Sequence, residues 1–186
     1  MSKLINSTLL NPERILRKDF EIVAGDKVAD LGCGGSGHFT ITAAHIATST
    51  GQVHAVDIIK RALTVIEGRA KTENLNNIKT YWSDLERFGA LKIHDNSLDK
   101  IVLTNTLFQS KNPEAILKET IRLLKPKGSL LVIDWLPGRF YIGPSAEKKI
   151  NKITTEKHAN ELGLSKIKEF SPGEYHFGLI FQKTIT

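Results

Sequence analysis

Short apolar runs alternate along the chain with stretches whose apolar residues recur every three or four positions. Runs at Lys27–Leu31, Gln52–Asp57, Ile78–Trp82, Leu98–Thr104 and Ser129–Trp135 have the length and branched-residue content of buried strands. Between them, Phe39, Ile41, Ala43, Ala44, Ile46 and Ala47 predict a helix over 38–49, ending near Thr50-Gly51. Ala62, Leu63, Ile66 and Ala70 form one face of a helix over 59–72, which Asn74 and Asn76-Asn77 break. Asn11-Pro12-Glu13 and Asn112-Pro113-Glu114 both read as helix starts, with Asn as cap, Pro first and an acid in the first turn. The first opens a helix over 12–23 with Ile15, Leu16, Phe20 and Val23 as its stripe, expected to pack over the ligand side of the sheet. The second carries Leu117, Ile121 and Leu124 at i, i+4, i+7 and ends at Lys125-Pro126-Lys127-Gly128.

This alternation predicts βαβ units with right-handed crossovers, hence a parallel sheet covered on both faces. The tail differs. After an irregular 137–153, a short helix is expected over about 155–162. Ser165–Phe170 and Tyr175–Gln182 then flank Ser171-Pro-Gly-Glu174 as a β-hairpin closing one sheet edge. Without internal repeats or low-complexity segments, residues 1–186 read as one domain.

Composition narrows the partners. No apolar run approaches the roughly 18 residues of a membrane span, and Met1–Thr8 lacks the apolar core of a signal peptide. The one cysteine, Cys33, cannot pair within the chain, which suits a cytoplasmic location and excludes a multi-cysteine zinc or thiol site. The other histidines (45, 54, 94, 158, 176) show no metal-ligand spacing. A net charge of +6 leaves nucleic acid open as a partner without favouring it, since lysines on solvated helix faces give the same total.

The chemistry concentrates in Val28-Ala-Asp-Leu-Gly-Cys-Gly-Gly-Ser-Gly-His-Phe-Thr-Ile41, a strand, a glycine turn and a helix start. Two ligand classes compete for it. Gly32, Gly34 and Gly37 fit GxGxxG, and Asp57 lies twenty residues on, as in dinucleotide-binding turns. Against this, Asp30 stands two places before the first glycine, where a carboxylate would repel a pyrophosphate and hold a cation. S-adenosylmethionine, with its ammonium and sulfonium, suits that acid.

The order of parts resembles the class I S-adenosylmethionine-dependent methyltransferases, of the small type 11-like kind. The resemblance rests on Val28-Ala-Asp-Leu-Gly-Cys-Gly34, His54-Ala-Val-Asp57, Trp82-Ser-Asp-Leu85, Leu98-Asp-Lys-Ile-Val102, Leu123-Leu-Lys-Pro-Lys-Gly128 and the terminal hairpin. It implies an α/β, Rossmann-like, doubly wound fold: seven strands in order 3-2-1-4-5-7-6, strand 7 antiparallel, with helices on both faces. It also implies S-adenosylmethionine as cofactor. Asp30 would lie near the methionine ammonium, and the backbone of Gly32, Cys33 and Gly34 would pass under the methionine and ribose. Asp57 would take both ribose hydroxyls, and Ile58 would pack on the adenine face. In Ser83-Asp84-Leu85, Asp84 would accept from the adenine amine while the Leu85 amide faces the ring. Thr104 and Asn105 would border the methyl group. The turn carries one residue more than the family's usual Gly-x-Gly-x-Gly, which is also why GxGxxG fits it.

Each of these has a structural alternative. Asp57 can be a solvated strand end, Asp84 a turn former, and Asp30 a cap on the turn amides. Cys33 reads as a small turn residue rather than a nucleophile. His38 stands where a general base could act, or simply in a first helical turn; no catalytic residue is assigned. Trp135, Pro137, Tyr141 and Pro144 follow the fifth strand and either wall an acceptor pocket or pack as an ordinary loop. Lys148, Lys149, Lys152 and Lys157 form a basic stretch on the same side, facing an anionic acceptor, a membrane surface or solvent.

The acceptor is narrowed by elimination. Strand 4 ends Thr104-Asn-Thr-Leu-Phe108, without the Asn/Asp-Pro-Pro-aromatic segment of enzymes that methylate base amines, and no Pro-Cys pair marks a cytosine-C5 enzyme. One cysteine is too few for arsenite chemistry. A small organic acceptor remains, a quinone-like or lipid-like ring among them. The rivals are RNA as acceptor, an NAD(P)-dependent oxidoreductase, and a non-catalytic module that binds the cofactor.

Overall fold

The protein is described by a computed structural model over residues 10–138 and 140–184. The stretch read above for a signal peptide lies outside them. Asn11 caps the first helix, its side-chain oxygen accepting from the Arg14 amide at 3.0 Å with Pro12 in first position. This helix, α1, spans Pro12–Arg14 and widens into a π turn over Ile15–Asp19. It stops short of the expected residue 23. Glu21 takes a φ of 58°, which turns the chain and buries Ile22 in place of the exposed Val23. Ile15, Leu16 and Phe20 lie against Val28, Val102, Leu131, Ile133 and Ile180, so α1 runs down one face of the sheet. Only its first turn approaches the ligand side, where an Arg14 guanidinium nitrogen donates to the Pro172 carbonyl at 2.8 Å.

Strands β1 (Lys27–Leu31), β2 (Gln52–Asp57), β3 (Ile78–Trp82) and β4 (Leu98–Thr104) have the predicted bounds. Helix α2 covers His38–Ala47 and ends where Thr48 adopts φ 58°, and α3 covers Lys60–Thr72. Asn112 caps α4 (Pro113–Leu123), accepting from the Ala115 amide at 3.2 Å. The buried face of α4 is centred on Ile116, Leu117, Thr120 and Leu123; Leu124 already belongs to β5 (Leu124–Trp135). Residues 125–128 loop out of β5, because its register on β4 jumps from Leu98–Leu124 to Lys100–Ser129. Helix α5 (Lys152–Glu161) starts before the expected Thr155, since Asn151 caps it by accepting from the Ile153 amide at 2.8 Å. Strands β6 (Leu164–Gly173) and β7 (His176–Lys183) form the terminal hairpin; β6 is longer than predicted at both ends, and β7 is shifted one residue on from the predicted Tyr175–Gln182.

The sheet has seven strands in order β3-β2-β1-β4-β5-β7-β6, with β7 antiparallel to both neighbours. Alternation along each strand divides the apolar core in two. One half lies under α1 and α2; the other packs Ile101, Leu103, Leu130, Val132, Leu179 and Phe181 against α4 and α5. Among the described residues, no helix is long and apolar enough to cross a membrane.

Candidate active site at the carboxyl edge of the sheet

The strand order reverses between β1 and β4, and open α/β sheets bind ligands at the carboxyl ends of strands at such a point. Register and alternation place one polar or aromatic residue there from each of five adjacent strands: Asp57 on β2, Asp30 on β1, Thr104 on β4, Trp135 on β5 and His176 on β7. All five share the strand parity of the residues beneath α1 and α2.

The glycine turn leans on β2. The amides of Gly32 and Cys33 both donate to the Val56 carbonyl, at 2.8 and 3.0 Å, and the Gly34 amide donates to the Asp57 carboxylate at 2.9 Å. These three N–H groups are therefore turned away from a ligand over the turn, and a pyrophosphate there would find two carboxylates instead. Gly32 (φ 78°) is required by contact as well as conformation, since a Cβ would sit 2.7 Å from Thr106. Gly37 (φ 56°) likewise faces Ile66 at 2.6 Å, whereas nothing lies within 4 Å of a Cβ at Gly34 or Gly35. The open backbone of the turn is thus that of Gly34 and Gly35.

Asp30 and Asp57 are both buried. Asp30 accepts from the Thr40 hydroxyl at 2.6 Å; burial raises its pKa to about 6, against the Thr40 bonds that lower it, with the Asp57 charge adding to the rise. Asp57 accepts from the Gly34 amide through one oxygen and from the Ile59 amide, at 2.8 Å, through the other. Each oxygen keeps acceptor capacity for a ligand hydroxyl. Burial, with the charges of Asp30 and Asp57, pushes the Cys33 thiol far up, which makes it a poor nucleophile.

Around the acids, Ile58 is 60% exposed, an apolar surface at the end of β2. Ser83 is buried with its hydroxyl lacking a partner in the protein, Asp84 accepts from the Glu86 amide at 2.9 Å, and the Leu85 side chain belongs to the core, leaving its backbone for recognition. Thr104 and Asn105 carry a buried hydroxyl and a buried amide oxygen without protein partners, and Asn105 is held at φ 54°. Polar atoms buried without partners are costly, so their concentration at one edge points to a ligand. His38, by contrast, is exposed on the first turn of α2.

Three residues that sequence reasoning did not single out hold the segments that follow β3 and β4. Asp134 ends an apolar strand just as Asp30 and Asp57 do, and that signal was available. Its parity turns it to the opposite face, where it accepts from the Phe108 amide at 3.2 Å and burial raises its pKa to about 6. It therefore positions the segment after Asn105. Glu119 and Arg122 of α4 brace the loop after Leu85, the carboxylate accepting from the Gly89 amide at 2.9 Å and the guanidinium reaching the Leu91 and Ile93 carbonyls.

Of the expected acceptor wall, only Trp135 lies in the sheet edge; Tyr141 points fully into solvent. The loop crosses the Trp135 ring at Gly143, where a Cβ would be 2.5 Å from the indole. The basic stretch is largely engaged elsewhere. Lys149 donates to the Gly138 carbonyl at 2.9 Å, Lys152 pairs with Glu169, and Lys157 faces Glu161 at 3.8 Å.

A family model described as a methyltransferase domain matches residues 22–171. The chain belongs to the class I S-adenosylmethionine-dependent methyltransferases. The fold is also that of solved structures. The crystal structure of a SAM dependent methyltransferase from Aquifex aeolicus superposes with a TM-score of 0.85 at 24% identity, over 94% of this chain and 90% of that one. Among curated proteins, the ubiquinone/menaquinone biosynthesis C-methyltransferase UbiE of Haemophilus ducreyi is 37% identical over 114 residues, 60% of this chain and 42% of its own. The demethylmenaquinone methyltransferase of Staphylococcus aureus is 32% identical over 117 residues, 63% of this chain and 46% of its own. The chain thus matches less than half the length of these curated relatives.

Proposed function

We propose that this methyltransferase transfers a methyl group from S-adenosylmethionine to a small organic acceptor, most simply a quinone-derived ring. The observation that carries the reading is the pair of buried carboxylates, Asp30 and Asp57, beside a glycine turn whose first three amides are already bonded. An acceptor-rich site of this kind fits a ligand with an ammonium, a sulfonium and a ribose diol. Asp30 would hold the ammonium, the open backbone at Gly34 would admit the methionine and ribose above Gly32 and Cys33, and Asp57 would accept from the ribose hydroxyls. Ile58 would cover one adenine face, with Ser83, Asp84 and the Leu85 amide at its polar edge. Thr104 and Asn105 would border the transferred methyl. The relatives' names support a quinone-type acceptor, one being a ubiquinone/menaquinone biosynthesis C-methyltransferase and the other a demethylmenaquinone methyltransferase.

When bound, the cofactor supplies an activated methyl group with a neutral thioether leaving group. The chain's part is then to align an acceptor and exclude water, which can account for much of the acceleration.

The test is a thermal-shift series followed by methyl transfer. S-adenosylmethionine or S-adenosylhomocysteine at about 100 times Kd should add roughly 2.7 kcal/mol, a rise on the order of 5–10 °C for a chain this size, while NAD and NADP add nothing. Labelled methyl should then pass to a reduced quinone. A shift with NAD alone would overturn the cofactor; adenosyl binding without transfer to any quinone would overturn the acceptor.

A further inference from the structure

The carboxyl edge holds a second set of unsatisfied polar atoms, two strands away from Thr104. His176 opens β7 directly opposite Trp135 on β5, and their rings lie 4.2 Å apart between centroids. His176 is 5% exposed, and neither of its ring nitrogens has a partner in the protein; the indole nitrogen of Trp135 has none either. Three buried nitrogens at one spot, without partners, are expensive for a purely structural pair, because a hydrophobic residue of the same shape would serve better. Among the described residues, a cation from the overlying loop faces the ring. Lys149 stands 5.9 Å from the Trp135 ring and 4.2 Å from that of Phe140. Burial, and then the Lys149 charge, lowers the His176 pKa to about 4, so the imidazole is neutral near pH 7, with one donor and one acceptor nitrogen.

From this we infer that His176 and Trp135 form the polar anchor of the acceptor site, and that the acceptor is a hydroxylated aromatic ring. A ring hydroxyl can accept from one imidazole nitrogen or donate to the other, and the indole N–H offers a second donor to a ring oxygen. The aromatic pair supplies a flat surface for the rest, and Lys149 favours an electron-rich or phenolate ligand. Adjacent strands lie about 4.8 Å apart, so β7 stands about 10 Å from β4. A ring held at His176 therefore extends toward Thr104 and Asn105, where the proposed function puts the methyl group. The loop across Trp135 would have to lift for entry; among its described residues, Gly143 and Lys149 approach the indole. His176 is thus a positioning residue, and the inference rests on the methyl-transfer reading.

The chain has two tryptophans, and Trp82 is 61% exposed on the edge strand β3, so Trp82→Phe leaves Trp135 as the only indole reporter. In that background, saturated with S-adenosylhomocysteine, 1,4-dihydroxynaphthalene kept reduced by dithiothreitol should quench Trp135 emission saturably. His176→Phe should keep or raise the thermal midpoint and keep S-adenosylhomocysteine affinity, yet weaken dihydroxynaphthalene binding at least tenfold. His176→Asn, which retains a donor and an acceptor, should restore part of it. In turnover with a reduced quinone, the Phe variant should raise the acceptor KM far more than it lowers kcat. Equal dihydroxynaphthalene affinity in the Phe variant, or no saturable quenching in the parent, would overturn the inference. Neither touches the cofactor reading, which fails separately if S-adenosylhomocysteine does not bind.

Discussion

At Asp30 the protein keeps a carboxylate that works against its own stability. The side chain is 2% exposed, and burial lifts its pKa from 3.8 to about 6. The unfolded chain therefore loses this proton first as pH rises, and stability declines between about pH 4 and 6 by roughly 3 kcal/mol, remaining lower above that. Asp30→Asn should accordingly stabilise the ligand-free protein at pH 7.5 by about 1–3 kcal/mol in urea unfolding. It should also weaken S-adenosylmethionine binding and abolish the loss of affinity expected of the parent below pH 6. A destabilised Asn variant would mean that the ionised group is structural. Asp57 makes the complementary case. Asp57→Asn should cost about 1.5–3 kcal/mol of cofactor binding in calorimetry, because hydrogen bonds to a charged acceptor carry that much. Unchanged affinity would remove Asp57 from the site. What was legible of both acids is their place: a polar residue closing an apolar run falls at the carboxyl edge of the sheet, where both are buried. Asp134 carries the same signal with a different outcome, decided by strand parity that residue type does not reveal. The meeting of His176 with Trp135 was not legible at all, since it depends on the β5–β7 register.

Elements were easier to read than their ends. The two Asn-Pro-Glu starts both became capped helices, because the cap is a local hydrogen bond that needs no tertiary partner. The ends of α1 and α2 were decided by backbone turns at Glu21 and Thr48, residues without a strong stop signal. The long connection from Ser83 to Ser97 shows what local reading cannot supply. It is fastened by Glu119, which is fully buried, and by Arg122, through the Gly89 amide and the Leu91 and Ile93 carbonyls. In the sequence these two residues look like an ordinary surface pair on α4. Removing one partner of a buried pair strands the other, so Glu119→Ala should cost about 3–5 kcal/mol in guanidinium unfolding, with Glu119→Gln costing less. Because the same connection begins with Ser83-Asp84-Leu85, the Ala variant should also bind S-adenosylhomocysteine more weakly. A midpoint within experimental error of the parent would show that the loop is held by its apolar residues, Leu91 and Ile93, alone.

For the molecule as a whole, the alternation of strands and helices implies a parallel sheet and the family resemblance implies its order; the observed order reverses between β1 and β4, where the candidate site lies. Net charge is the whole-molecule property that argued for RNA, and its distribution weakens that argument. Among the described residues, Lys118 pairs with Glu114, Lys125 with Asp99, Lys166 with Glu156, Lys168 with Asp19, and Arg69 with Glu73. Lys100 and Lys183 donate to backbone carbonyls. Other cations among the described residues, Lys18, Arg61, Lys79, Lys92 and Lys127 included, make no such pair, but they come from separate elements (α1, α3, β3, the connection before β4, and β5) rather than from one stripe that could track a phosphate backbone. Each phosphate neutralised on a single strand contributes about −0.7 to the slope of log K against log salt, so a dedicated RNA groove engaging six would give about −4. We expect a slope shallower than about −2 for a single-stranded RNA, measured by fluorescence anisotropy between 50 and 300 mM salt, corresponding to three phosphates or fewer. A slope near −4, together with competition between that RNA and dihydroxynaphthalene, would move the acceptor from a small ring to a nucleic acid while leaving the methyl-donor site where it is.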